Sequence, residues 1–144
     1  MASVRSAEGH RLEARSTDGT ASWGNVVRMK QLPEPISGCE GAVVLHPNGK
    51  LYYSHPDDPT THLRNHMVIK VSEDKGVSWT NHVEIWGPKT GCEREHGCVP
   101  AASYSSMAVL DPDKVDSEIG LMFMRNNKTM VVFEGTPSYT TFSP

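Results

Sequence analysis

Cys92, His96 and Cys98 form a Cys-x-x-x-His-x-Cys group that would suit a metal. Thiolate and imidazole are zinc ligands, and a fourth donor would come from the other histidines among the seven in the chain. The spacing is not a standard zinc spacing. A Cys92–Cys98 disulfide and unpaired thiols on a surface insertion are the other readings, so no metal site is assigned and no cofactor is expected. Asn127-Lys128-Thr129 is an N-glycosylation sequon on an expected hairpin turn, of consequence only in a secretory or lysosomal compartment. Arginine and tyrosine offer other chemistry. A guanidinium binds carboxylate in a bidentate fork and stays charged, whereas a tyrosine hydroxyl, with a pKa of about 10, needs a base or an electrostatic partner before it attacks. Taken singly, an arginine beside a strand reads as a solvated side chain and a tyrosine at a strand start as a packing residue.

These residues must be carried by strands. The organising stretch is residues 64–79, one strand rich in β-branched residues over 67–71 followed by a tight turn with the pattern Ser72-x-Asp74-x-Gly76-x-x-Trp79. The Asp carboxylate can accept backbone N–H groups, Gly76 can take a left-handed conformation and Trp79 can pack beneath the turn. Ser16, Asp18 and Trp23 repeat the pattern 56 residues earlier, with Gly19 one position early, so this first turn reads as degenerate. A separation of that size suits consecutive units of a blade repeat. Short runs at 10–15, 26–32, 41–46, 51–54, 83–86, 104–110, 119–124 and 130–134 are punctuated by Pro, Asn and Gly, and none keeps a helical period over two turns. The expected class is all-β, with 119–124 and 130–134 as a hairpin.

Composition narrows the partners. At 144 residues the chain holds one ordinary domain but is short for a closed propeller of four-stranded blades. The net charge of −3 is interspersed and no Lys/Arg-rich run occurs, so neither nucleic acid nor an anionic membrane is indicated. No apolar run approaches the roughly 20 residues of a membrane span, and no signal peptide or lipidation motif is visible.

Four segments, in order, resemble the C-terminal part of a sialidase catalytic domain, and the two Ser-x-Asp turns resemble the Asp-boxes on the blades of sialidase propellers. Val4-Arg5-Ser6 looks like the segment bearing the second arginine of the family's triad. Gly38-Cys39-Glu40-Gly41 is similar to a strand start in animal sialidases. Ser54-His55-Pro56 leading to Arg64 resembles the segment of the third arginine, and Ser103-Tyr104-Ser105-Ser106 the motif that holds the nucleophile. Among animal enzymes the lysosomal type looks most alike.

The resemblance implies a portion of a six-bladed propeller over residues 1–144, with N-terminal blades absent. It implies an exo-α-sialidase that releases terminal sialic acids from glycoproteins, glycolipids or oligosaccharides with retention, and a place in ganglioside and oligosaccharide catabolism. Arg5 and Arg64 would bind the substrate carboxylate and Tyr104 would be the nucleophile. A neutral tyrosine avoids the repulsion that a carboxylate nucleophile would meet from that same group, and sialidases are a known exception to the two-carboxylate rule. Glu40 is a possible pocket residue. The family's acid/base aspartate, activating glutamate and first arginine lie upstream of the Arg5 segment and have no counterpart, so the chain alone should be inactive. Sialylated glycans are the expected partners, together with missing blades or an associating chain to close the ring. A lysosomal or other secretory-pathway compartment fits, with cytoplasmic and membrane-associated locations open. The rival is a non-catalytic Asp-box module that binds glycans or serves as a scaffold.

Overall fold

The computed structural model describes residues 1–60, 62–87, 101–126 and 135–144. Ten strands run through them: β1 (Ala2–Val4), β2 (His10–Ala14), β3 (Val27–Pro33), β4 (Ala42–Leu45), β5 (Leu51–Pro56), β6 (Met67–Ser72), β7 (Thr80–Trp86), β8 (Ala101–Val109), β9 (Ile119–Asn126) and β10 (Thr136–Phe142). Every pairing is antiparallel between neighbours in sequence, giving three successive meanders, β1-β2-β3, β4-β5-β6-β7 and β8-β9-β10. Turn chemistry sets that order. Between β4 and β5, Gly49 takes φ 85°, the His46 N–H donates to the Lys50 carbonyl and the Gly49 N–H to the His46 carbonyl, both at 2.9 Å. Among the described residues no helix is long and apolar enough to cross a membrane.

The middle sheet is covered on both faces. Successive side chains of a strand point to opposite faces, so adjacent Tyr52 and Tyr53 on β5 serve two interfaces. Tyr52, with Met67, Ile69 and Trp86, packs on Ala102, Ile119, Leu121, Phe123 and Phe142 of the third sheet. Tyr53 and Trp79 pack on Met29 and Leu32 of the first. Burying one such side chain is worth about 1.5–3 kcal/mol, which makes these two layers what holds the sheets face to face.

The all-β expectation is met, with differences in strand bounds: β1 is additional and β7 begins at Thr80 rather than at 83. β8 begins at Ala101 rather than at 104, because Ala101, Ala102 and Ser103 are small and give no apolar signal although all three are buried. On its side away from β8, β9 pairs with β10, from Thr136 opposite Arg125 to Phe142 opposite Ile119. The expected strand at 130–134 lies outside the described residues. β10 has little hydrophobic pattern, since only Phe142 is buried, and it tolerates Pro137 because it is an edge strand.

Candidate active site

Strand register sends the candidate chemistry to one end of the sheets. Arg5 follows the end of β1, Glu40 precedes β4, Arg64 precedes β6, and Tyr104 is near the start of β8. In the antiparallel ladders Ala42 faces Ser54, Pro56 faces Met67, and Ala101 faces Asn126, so the starts of β4, β6 and β8 share an end with the finishes of β5 and β9. The Ser-x-Asp turns, between β2 and β3 and between β6 and β7, lie at the other end.

Arg64 is placed by its backbone. The 57–66 loop is closed at its base by the Asp57 N–H donating to the His66 carbonyl at 2.9 Å, with Asp57 itself ion-paired to Lys70 at 2.9 Å. Within the loop Asn65 donates to Asp58 at 2.9 Å. The Arg64 carbonyl accepts the Ala102 N–H at 2.8 Å, and Asn65 bridges Ala101, which ties the loop to the first residues of β8.

Tyr104 occupies a bulge. Ser103 pairs with Met124 and Ser105 with Phe123, so Tyr104 is the extra residue between them, and its φ of 43° lies where L-residues are strained. A residue in the regular ladder would be committed to one face; the bulge frees this ring to turn toward the loop. There the Arg64 guanidinium carbon lies 4.8 Å from the ring centroid, a cation–π arrangement. The half-buried phenol therefore has a fixed cation beside it. Among the described residues no carboxylate hydrogen-bonds its hydroxyl.

Arg5 is exposed, its guanidinium making one 3.4 Å bond to the Ser37 carbonyl. Its segment is packed by the 38–41 loop. A Cβ at Gly38, whose φ is 67°, would fall 2.3 Å from the Ser6 carbonyl oxygen and 2.9 Å from the Arg5 Cγ; one at Gly41 would fall 2.3 Å from the Tyr53 hydroxyl. Between these glycines Cys39 is a buried free thiol, its acidity weakened mainly by burial, with the Tyr104 N–H directed at it and the charges of Arg64 and Arg5 felt there. Glu40, next to it, is exposed, and no hydrogen bond or ion pair to it is present among the described residues.

Arg11 and Arg15 share the segment of Arg5 and compete with it for the same role in the sequence, whereas Glu34 carries no sequence signal. Arg11 and Glu34 are buried and ion-paired at 2.5 Å, and Arg11 also donates to the Cys39 carbonyl at 2.7 Å. Their context is ordinary, an alternating strand for Arg11 and a Pro-Glu-Pro connection for Glu34.

At the far end the two turns close with the same bonds, although the first is degenerate in sequence. In the second, Asp74 accepts from the Ser78 N–H at 2.8 Å, the Ser78 hydroxyl at 2.5 Å and the Ser72 hydroxyl at 2.8 Å, while the Gly76 N–H donates to Ser72 Oγ at 2.8 Å. In the first, Asp18 accepts from the Ser22 N–H at 2.9 Å, the Ser22 hydroxyl at 2.5 Å and the Ser16 hydroxyl at 2.8 Å, with the Thr20 N–H on Ser16 Oγ at 2.8 Å. Two consecutive positive φ angles are required in each, 69° and 75° at Gly19-Thr20, 59° and 88° at Lys75-Gly76. The glycine takes either place. Trp79 is buried and packs edge-on against Tyr53, whereas Trp23 is exposed.

Among the described residues no group of three or more His, Cys, Asp or Glu side chains converges to hold a metal. Cys92, His96, Cys98 and the sequon at Asn127 lie outside the described residues.

No protein-family model and no curated protein sequence matches the chain. Solved structures do. The chain is similar to the crystal structure of the intramolecular trans-sialidase from Ruminococcus gnavus in complex with oseltamivir carboxylate, with a TM-score of 0.70 and 19% identity over 97% of this chain and 29% of that one. It is also similar to the leech intramolecular trans-sialidase complexed with 2,7-anhydro-Neu5Ac, with a TM-score of 0.70 and 16% identity over 98% of this chain and 21% of that one. The chain has a sialidase-like fold and spans less than a third of either structure.

Proposed function

We propose that this chain is part of an exo-α-sialidase, three consecutive blades of a six-bladed propeller, and carries two carboxylate-binding arginines and the nucleophile of a retaining hydrolase. The observation that carries the reading is the Arg64 guanidinium held 4.8 Å over the Tyr104 ring, at a bulge and at the end opposite the Ser-x-Asp turns. A sialic acid bears its carboxylate on the anomeric carbon. An arginine that binds this carboxylate therefore brings the reacting carbon to its neighbour, and Tyr104 is that neighbour. Arg5, with one long backbone bond, has donors to spare for the same carboxylate.

In this reading the Ser-x-Asp turns are structural and do no chemistry. The acid/base and the carboxylate that activates Tyr104 come from outside these residues, each contributing on the order of 10²-fold, so the isolated chain is inactive. Terminal sialic acids of glycoproteins, gangliosides or oligosaccharides are the substrates, and a lysosomal or secretory-pathway compartment suits them.

One observation favours a second reading, a glycan-binding module without catalysis: no carboxylate among the described residues reaches the Tyr104 hydroxyl. Both readings require recognition of the carboxylate. N-acetylneuraminic acid should bind the chain more tightly than its methyl ester, and Arg64→Met should remove the difference. Equal binding of acid and ester by the wild-type chain would sink both.

A further inference from the structure

We propose that the buried Arg11–Glu34 ion pair is a positioning device that locks the Arg5 segment and the Tyr104 bulge to each other through the Cys39 loop. The proposal rests on the sialic acid site described above and names what keeps its two halves at a fixed spacing. Arg5 and Tyr104 are 99 residues apart in sequence and belong to different sheets, so no strand pairing relates them. A third body has to.

Glu34 uses both carboxylate oxygens. Oε1 accepts from Arg11 Nη1 at 2.5 Å, and Oε2 accepts the Ser6 N–H at 3.2 Å, the backbone group directly after Arg5. Arg11 Nη1 donates also to the Cys39 carbonyl at 2.7 Å, its Nε donates to the Ser3 hydroxyl at 3.1 Å, and its guanidinium lies 5.4 Å over the Tyr53 ring. One ion pair thus holds the main chain on both sides of the site. On the Cys39 side, the Tyr104 N–H acts on the buried thiol, opposing the effect of burial on its acidity, and the Cα of Gly38 presses on the backbone of Ser6 with no room for a side chain. Hydrogen bonds run from Ser6 through Glu34 and Arg11 to the Cys39 carbonyl, and the thiol of that residue is the group on which the Tyr104 N–H acts.

The same bonds remove Arg11 from the list of substrate ligands. It is 4% exposed and its donors are engaged, whereas Arg5 is exposed with one weak bond. Two arginines near one site therefore divide the work: Arg5 meets the ligand, and Arg11 holds the frame. A buried pair of this kind specifies geometry more than it adds stability, because desolvation offsets most of the attraction.

Amide hydrogen exchange read residue by residue, together with affinity for N-acetylneuraminic acid, tests this. In Glu34→Gln the Ser6 and Tyr104 amides should exchange at least tenfold faster than in the wild type, with Ile69 in the middle sheet unchanged. Affinity for N-acetylneuraminic acid should fall about tenfold while that for its methyl ester stays the same. Cys39→Ala leaves the ion pair intact and should speed exchange at Tyr104 but not at Ser6; it decides the matter where Glu34→Gln does not fold. Unchanged exchange at both amides in Glu34→Gln, or at Tyr104 in Cys39→Ala, overturns the proposal, as does a uniform rise that includes Ile69. Absence of sugar binding by the wild type would instead sink the sialic acid reading, and the exchange data would still decide the positioning role.

Discussion

The Arg64 guanidinium carbon lies 4.8 Å from the centroid of the Tyr104 ring, and the two residues are joined again through the main chain by the Ala102 N–H on the Arg64 carbonyl at 2.8 Å. The side-chain stack reaches Tyr104 and the backbone bond reaches Ala102, so the 57–66 loop is tied to the start of β8 twice. Arg64→Lys keeps the charge but loses both the planar stack and the bidentate fork. Charge-assisted hydrogen bonds are worth about 1.5–3 kcal/mol, so the affinity for N-acetylneuraminic acid should drop roughly 10- to 100-fold, measured by titration calorimetry. A lysine variant that binds like the wild type would show that the fork has no role.

The Ser-x-Asp turns make a prediction about pH. The hydroxyl and N–H of Ser78 and the hydroxyl of Ser72 hold the Asp74 carboxyl at about 2, below its ordinary 3.8, and Ser22 and Ser16 do the same for Asp18. A depressed carboxyl stabilises the fold above its unfolded value and loses that contribution as pH falls through the folded one. The turns should therefore hold from neutral pH to about 4 and loosen between 4 and 2. Carboxyl carbon NMR titrations should give midpoints near 2 for both; midpoints near 4 would mean that the serines do not hold them.

Thr20 takes φ 75° at the place where Gly76 takes 88°. A left-handed conformation costs an L-residue about 1–2 kcal/mol, most for β-branched ones. Thr20→Gly should stabilise the protein by about 1 kcal/mol, and Gly76→Thr should destabilise it by a similar amount or more. Urea denaturation of the two variants checks the pair, and opposite signs are required.

His55 is buried, with its pKa lowered to about 4 from 6.5, chiefly by loss of solvation, and among the described residues its Nε2 has no partner. The unfolded chain takes up a proton at a pH where the folded one does not. Stability should therefore fall as pH drops from 6.5 toward 4, by roughly 3 kcal/mol for this group. A His55→Phe variant should lose that part of the pH dependence, and unfolding midpoints of both proteins at pH 7 and 4.5 measure it.

Most of the strands were readable in the sequence because β-branched and aromatic runs alternate with Pro, Asn and Gly. What escaped has physical reasons. β10 is a polar edge strand anchored by Phe142, and the first residues of β8 are buried but small. The first turn looked imperfect because Gly19 and Thr20 exchange the order of glycine and side chain in two positions that both need positive φ. The candidates Arg5, Arg64 and Tyr104 could be named from motifs, and the shared end of the sheets follows from strand order. The bulge at Tyr104 and the Arg11–Glu34 pair could not be read, since each depends on contacts between residues far apart in sequence.

The most direct test is turnover of a fluorogenic sialoside by the chain joined to its upstream gene sequence, alongside the 144-residue chain and a Tyr104→Phe variant of the longer protein. Turnover is expected from the longer protein alone, reduced at least ~10²-fold by Tyr104→Phe, since that variant has no hydroxyl with which to form the covalent intermediate. Full activity in the Tyr104→Phe variant, or a longer protein that binds sialic acid but never turns it over, would contradict that expectation.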